Sequence, residues 1–535
     1  MFNFYKTKPL LVQGLKNHRA VLIMLSVVFF ALYSSIYTVE HNTFNSPDET
    51  ANHYFALRLA DGQSLKAEVS PSGVSSQLVS PRSMRVEDGK LVPASFFGLI
   101  LLYGSFAFIF SNFSLYVLPA LTSVLGVWGF YFLIKYIWWE RLAFTSAVML
   151  FLLPSWWYYS AFGFFPNVLF LTLVIWSLAA LILYSEKNKI VYLVLSAVLI
   201  GLALITRLSA LPWIIIPFLV IGFNYYKKHQ NTKPYIIFGL TLAIPAVILL
   251  IIQNILYGSS LETGYIIATE SNVFGFIQKI FPQGINIKFA FGQFQSYFLK
   301  MFWFISIPMA AGVIALFKRS HKVSKGQKLY ALIYGLVSLW LLIYYGSWQI
   351  SDNITKEITI GVSYVRYWLP ITVFAIPLVA YAVHVLINYF RFNRTLTISF
   401  MAFLFVFYAV ITTNMVYYKY NDSILNVKNT LAENLEKKRF VINRTEEDAV
   451  IVSNRQDKVF FPERRVVHIE EDSINVSNIS KVASTAPVYI YTNISGKNYN
   501  TFAVDLLKKE KLSLTLIDTY GNEKLYEVTP MMIIK

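Results

Sequence analysis

Apolar runs of about twenty residues recur along this chain, each set off from the next by a short polar or basic turn. Roughly twenty residues is what a helix needs to cross the ~30 Å hydrocarbon of a bilayer. A spanning helix also satisfies its own backbone hydrogen bonds where no water is available. The pattern therefore predicts a mainly α, polytopic membrane bundle. Composition supports this, because hydrophobic residues make up 56% of the 535 and charged residues 14%. One aqueous core could not hide that much apolar surface. The 11 Trp, 35 Tyr and 44 Phe suit lipid-facing helices and interfacial belts. With no cysteine, the chain has neither disulfides nor a thiolate for metal binding or nucleophilic attack.

A net charge of +17 raises the question of nucleic acid. The basic residues, however, sit in short clusters between apolar runs, which is how a positive-inside bias looks. No nucleic-acid partner is expected. Lys6, Lys8, Lys16 and Arg19 precede an apolar run near 21–37 that no small-residue cleavage site follows, so it reads as a retained helix. The N-terminus is then cytoplasmic and the loop 38–112 lies outside.

Later clusters are Lys135 with Arg141, Lys187 with Lys189, Lys227 and Lys228 with Lys233, the group from Lys318 to Lys328, and Arg391 with Arg394. Keeping all of them inside requires spans near 113–134, 142–160, 167–184, 190–206, 208–226, 235–255, 299–317, 329–346, 368–390 and 396–417. With the first helix the total is about eleven. Residues 94–110 are apolar but break this alternation if they cross, so they read as an interfacial or re-entrant helix on the outer side. The expected organisation is a transmembrane domain over 1–420 and a small extracytoplasmic α/β domain over 421–535. In the latter, strand-like runs AVIVS, PVYIYT and LSLTLI alternate with helical NTLAENLEKK and TFAVDLLKKE.

Chemistry is expected where polar residues gather at the outer face. Ser46-Pro47-Asp48-Glu49 has the form of a helix start, with Ser as N-cap, Pro at the first helical position and Glu three residues after the cap. A capping box accounts for Glu49, whereas Asp48 has no structural duty in it and is the sharper candidate for a general base. His53 lies four residues after Glu49 on the same helix face. A neutral, hydrogen-bonded His is the plainer reading, and two side chains are too few for a metal. In the loop 256–298, Glu262 and Tyr265 are candidates for sugar or acceptor recognition against a solvated-loop default. Arg207 stands between two apolar runs on the outer side, against the inside bias. Arg366 is flanked by Tyr364, Tyr367 and Trp368, rings that serve equally as an aromatic belt or as a sugar-stacking surface. Arg58 reads as a snorkelling anchor.

The stretches PDETANHYFALRLADG and PRSMRVEDGKLVPASFFGLILLYG resemble the lipid-linked-sugar glycosyltransferases of the GT-C superfamily. The branch they look most like is that of the protein O-mannosyltransferases and the aminoarabinose transferase of lipid A. The resemblance implies an enzyme of the bacterial inner membrane that moves a hexosyl or pentosyl unit, with inversion, from a polyprenyl-phosphate carrier. The acceptor would be an extracytoplasmic glycan, lipid or protein. It assigns the base to Asp48 with Glu49 as its neighbour, and phosphate binding to Arg207 and Arg366, whose planar forks suit two oxygens.

Many relatives carry a second acidic residue in the outer turn between the third and fourth spans. Here that turn reads SAFGFFPNV, with Asn167 and no carboxylate. That puts in doubt a site for a divalent metal (Mg or Mn) built from both loops, and no cofactor is required by the reading. In the C-terminal domain Lys458, Arg464 and Arg465 read as a solvated face, with an anionic glycan as the weaker alternative. The rival functions are a lipid or solute transporter or flippase, and an inactive scaffold of the same fold. A transporter should carry ionisable groups or broken helices near the midplane, whereas these charges keep to span ends.

Overall fold

The computed structural model describes residues 18–35, 43–68, 79–260, 262, 264, 284–350, 357–469, 476–492 and 511–530. The chain divides into two compact units. The first comprises 1–36, 117–249 and 269–426, and the second 37–116, 250–268 and 427–535.

Among the described residues seven helices are long and apolar enough to cross a membrane. They are Ser114–Ile137, Pro166–Lys187, Leu208–His229, Lys233–Tyr257, Lys325–Gly346, Leu369–Tyr389 and Arg394–Tyr418. Two further candidates are bent pairs: the first was expected as one straight span over 142–160, and the second joins the expected span 299–317 to residues 287–298, which the sequence had placed in the outer loop. Glu140–Phe151 meets Pro154–Ala161 at 53°. Leu153, ahead of Pro154, takes an extended ψ of 119°, because a residue before proline is pushed out of the helical region. Ile287–Lys300 meets Trp303–Lys318 at 95°, and a π-helical stretch over Phe294–Lys300 precedes that corner. Length and composition thus allow seven spans, or nine with the bent pairs. The expected eleven also need α1 (His18–Tyr33) and Ile190–Thr206, which have 16 and 17 residues.

Lys233–Tyr257 turns Ile236, Leu240, Ile244 and Val247 outward, the apolar face a helix shows to lipid. Trp303–Lys318 crosses Leu369–Tyr389 closely at Gly312, where a Cβ would lie 2.0 Å from the Leu378 carbonyl oxygen, so no larger residue fits.

The second unit carries α2 (Pro47–Ala60) and α3 (Gly98–Phe110). The 13 residues of α3 extend only about 20 Å at 1.5 Å per residue. That is short of the ~30 Å needed to cross. α3 lies against α2 at Gly104, where a Cβ would sit 2.8 Å from the Ala56 carbonyl oxygen. Strands β1 (Ala67–Glu68), β2 (Met84–Glu87) and β3 (Lys90–Pro93) form an antiparallel sheet in the order β1-β3-β2.

The C-terminal strands are β4 (Val450–Ser453), β5 (Arg465–His468), β6 (Val488–Thr492), β7 (Leu512–Tyr520) and β8 (Glu523–Pro530), ordered β5-β4-β6-β8-β7. β4 pairs parallel with β5 and β6, while β8 pairs antiparallel with β6 and β7. Every residue of β4 is buried, as befits a strand covered on both faces. The three runs expected as strands are β4, β6 and β7, and NTLAENLEKK lies in the helix Ile424–Ile442. The expected helix at 501–510 lies outside the described residues. Ala51 and Phe55 of α2 share one core with Val441, Ile451, Phe460 and Tyr491, so the acidic-motif helix and the C-terminal sheet are packed as one body.

Candidate functional site

In the first unit, helix Ile190–Thr206 stops at Arg207, whose φ of −159° and ψ of 80° leave the helical region. The Arg207 residue is buried, and one Nη donates to the Tyr345 hydroxyl at 3.1 Å. Its guanidinium carbon lies 4.5 Å from the centre of the Tyr367 ring and 5.4 Å from that of Tyr345. Those two rings stack at 4.6 Å. Arg366 presents its guanidinium to the same Tyr367 ring at 5.0 Å and to Phe165 at 4.6 Å.

Two cations therefore meet one phenol, beside a small pocket lined by Asn167, Trp213, Arg207, Arg366 and Tyr367 among others. Cation–π contacts of this kind contribute about 0.5–2 kcal/mol each. They hold a guanidinium in place without using up its N–H donors. Among the described residues Arg207 makes no ion pair, and the Tyr345 hydroxyl takes one of its five donors.

The segment that carries Arg366 is fastened at several points. Asn167 Nδ2 donates to the Arg366 carbonyl at 3.1 Å, which gives this residue a structural duty. Tyr159 donates to the carbonyls of Ile360 and Val362 at 3.3 and 3.2 Å. Asp422 Oδ2 accepts the Gly361 N–H at 2.7 Å, and its carbonyl accepts the Tyr158 hydroxyl at 2.8 Å. Burial raises the Asp422 carboxyl above the usual carboxylate range. Neither Asp422 nor Tyr345 emerged from the sequence. The signal for Asp422 was a carboxylate a few residues past the last apolar run.

In the second unit, α2 begins as expected. Ser46 is its N-cap, Pro47 its first residue, and the Ser46 hydroxyl accepts the Asp48 N–H at 3.3 Å. Asp48 Oδ1 accepts the Ser83 hydroxyl at 2.6 Å. Ser83 holds a left-handed φ of 65°, a conformation that costs a non-glycine residue energy. Glu49 is fully buried. His53 is buried against the rings of Phe44 and Tyr116 at 4.8 and 5.6 Å, and burial pulls its imidazole down to about 4. Burial thus keeps His53 neutral at physiological pH. Glu262 pairs with Arg85 at 3.2 Å, and Arg85 lies 4.5 Å from the Tyr257 ring centre. Arg58 donates to the Ser64 carbonyl. Tyr265 lies outside the described residues.

The solvated face expected around 457–465 is corrected by the packing. Asp457 is fully buried and receives Arg82 through its backbone N–H at 2.8 Å, Nε at 3.0 Å and Nη at 2.7 Å. Burial alone would raise the Asp457 carboxyl, but the Arg82 hydrogen bonds and charge hold it below its ordinary value. Lys458 donates to the Asn45 carbonyl. Burial, aided by the Arg82 charge and opposed by Asp457 and Glu49, lowers its ammonium to about 8. Arg464 is buried and spends its donors on the carbonyls of Ile442 and Thr445 and on the Thr445 hydroxyl. These residues tie the chain together because each charge had to find a partner once β4, β5 and their flanks closed over it.

Arg207, Arg366 and Tyr367 are thus brought together in the first unit, while Asp48, Glu49, His53 and Glu262 belong to the second. Within the second unit Asp48 and Glu262 have separate partners, Ser83 and Arg85. Among the described residues no three His, Asp or Glu side chains converge as metal ligands.

Solved structures share this architecture. The ArnT structure from Cupriavidus metallidurans in the apo state is 11% identical, with 95% of this chain and 97% of that one covered at a TM-score of 0.52. The same enzyme bound to undecaprenyl phosphate is 9% identical over the same shares, at 0.51. The apo oligosaccharyltransferase of Archaeoglobus fulgidus is 11% identical, with 98% of this chain and 75% of that one covered at 0.50. At such identities these are likenesses of fold, and the chain has the fold of the GT-C membrane glycosyltransferases. Residues 97–252 match the family model described as dolichyl-phosphate-mannose-protein mannosyltransferase. No curated protein sequence matches the chain.

Proposed function

We propose that this protein transfers a sugar from a polyprenyl-phosphate carrier to a hydroxyl or amine acceptor on the outer face of the membrane. The observation that carries the reading is the pair of guanidiniums on the Tyr367 ring, with the N–H donors of Arg207 largely uncommitted. A buried cation such as Arg207, with no ion pair among the described residues, is costly unless an anion answers it. A phosphate that gains charge as it departs is such an anion, and a planar fork binds two of its oxygens at once. That the ArnT structure of the same fold is bound to undecaprenyl phosphate supports this choice of carrier.

In the proposed reaction the acceptor lone pair forms a bond to the anomeric carbon as the carbon–oxygen bond to phosphate breaks. The bonding electrons leave with the phosphate, and the configuration inverts. Arg207 and Arg366 stabilise the departing phosphate, and Asp48 takes the acceptor proton. The ring of Tyr367, stacked on Tyr345, positions the two guanidiniums for the phosphate, while Glu49, His53, Glu262 and Tyr265 shape acceptor or sugar recognition around the acidic motif. The same reading puts the N-terminus in the cytoplasm and the C-terminal domain outside the inner membrane.

The test uses the full chain in lipid with a panel of radiolabelled polyprenyl-phosphate sugars, following loss of label from the carrier. Wild type should turn over one of them. Asp48→Asn should slow transfer by roughly 10²–10⁴-fold, the usual contribution of a positioned base. Undiminished transfer by that variant would remove Asp48 from the mechanism, and a wild type inert to every donor would remove the transferase reading.

A further inference from the structure

The first unit also contains a cavity of about 2160 Å³, well beyond the ~300–1,000 Å³ of pockets that take drug-sized ligands. Along helix Leu211–His229 its lining runs from Trp213 and Pro217 through Ile221 to Lys227 and Lys228. The helix rises by fourteen residue steps from Trp213 to Lys227, a depth of about 21 Å at 1.5 Å per step. Its inner walls are apolar, with Leu178, Ile182, Ile333 and Phe374 contributed by other membrane helices.

Its charged lining is gathered from turns that are far apart in the sequence. Arg141 comes from the start of one helix, Lys227 and Lys228 from the end of another, and Arg319, Lys322 and Lys325 from the turn joining two more. Against these six cations stand two carboxylates, Glu140 and Glu186. Glu140 is already held by Lys135 at 3.1 Å and by the Tyr131 hydroxyl at 2.9 Å. An apolar shaft with a cationic rim matches a molecule with a long hydrocarbon chain and an anionic head.

We infer that this cavity binds an anionic phospholipid, with its phosphate among the Lys227, Lys228 and Arg319 side chains and an acyl chain in the shaft. The basic clusters are those that the positive-inside bias assigns to the cytoplasm. Anionic lipid is concentrated in that leaflet, and basic pockets between membrane helices attract such headgroups. The inference concerns a ligand other than the donor and does not depend on transfer activity.

Native mass spectrometry of the full chain, titrated with phosphatidylglycerol, phosphatidylethanolamine or glycerol phosphate, reads this directly. Phosphatidylglycerol should be retained, phosphatidylethanolamine far less, and glycerol phosphate should not compete. The combined Lys227→Ala, Lys228→Ala and Arg319→Ala variant should bind phosphatidylglycerol about 100-fold more weakly, from about 1 kcal/mol per cation lost and tenfold per 1.4 kcal/mol. The charge-preserving Lys227→Arg and Lys228→Arg variant should keep it. Ile221→Trp fills the shaft without touching a charge and should also lower retention, so a misfolded alanine variant leaves the idea open to refutation. Equal retention of the two phospholipids, full competition by glycerol phosphate, or displacement of phosphatidylglycerol by polyprenyl phosphate would each overturn the inference.

Discussion

Arg207 is buried and Arg82 half-buried against a buried carboxylate, and the two are used in opposite ways. Arg82 places its backbone N–H and two side-chain donors on the buried Asp457 and a further donor on the Arg455 carbonyl, so its charge is answered and its geometry complete. Arg207 is steadied by two aromatic rings and one hydroxyl, with no carboxylate beside it among the described residues. A guanidinium matched to a carboxylate is part of the scaffold, because neither charge can leave without stranding the other. One held by ring faces keeps donors for a ligand. The difference lies in what surrounds each arginine rather than in the arginine itself, which is why residue type is a poor guide to function in a chain this basic.

Three measurements sharpen or break that contrast. The largest effect is expected from Arg82→Ala, which leaves the Asp457 charge buried without its partner and should cost about 3–5 kcal/mol of stability in the second unit. Thermal unfolding would show this, and Arg82→Ala combined with Asp457→Ala should recover much of the loss. A small change in the single variant would mean that the pair is dispensable.

Next comes Arg207→Ala, which should lower transfer by roughly 10²–10³-fold, the scale for removing one donor aimed at developing charge. Its unfolding midpoint should move far less than that of Arg82→Ala. Arg207→Lys, a point charge without the fork, should fall between wild type and alanine. If Arg207→Ala instead unfolds the protein while its folded fraction works normally, the two arginines are alike and the contrast fails.

The smallest effect concerns His53, the base that burial keeps neutral. Its folded value near 4 lies below the ordinary 6.5, so between these limits the unfolded chain binds the proton and the folded one does not. Its contribution is therefore full above pH 6.5 and is lost as pH falls toward 4. The limit is about 3 kcal/mol, at ~1.4 kcal/mol per unit. Wild type should lose more thermal stability between pH 6.5 and 4.5 than His53→Phe does, and equal losses would show that other groups dominate acid sensitivity.

Much of the molecule is legible from local pattern. Seven of the apolar runs are membrane-length helices, SPDE starts α2 with the expected cap and proline, and AVIVS, PVYIYT and LSLTLI are strands. The bends were less visible. Pro154 inside an apolar run marks a break that a straight reading of 142–160 passes over. The π-helical stretch at Phe294–Lys300 carries no comparable residue signal. The site was readable in part, since Arg207 and Arg366 stood out as cations on the outer side. Their common ring, Tyr367, was read equally as part of an aromatic belt or as a sugar-stacking surface, and Tyr345 and Asp422 belong to segments that meet them only after folding.

Hydropathy and helix signals act over a few turns of chain, so element type, capping and a membrane setting follow from neighbouring residues. Whether a buried charge is structural or available depends on partners hundreds of residues away. Arg82 meets Asp457 across 375 positions, and Arg207 meets Tyr345 across 138. Packing brings such groups together, and the cost of burying a charge then decides which must be paired and which can be held by rings alone.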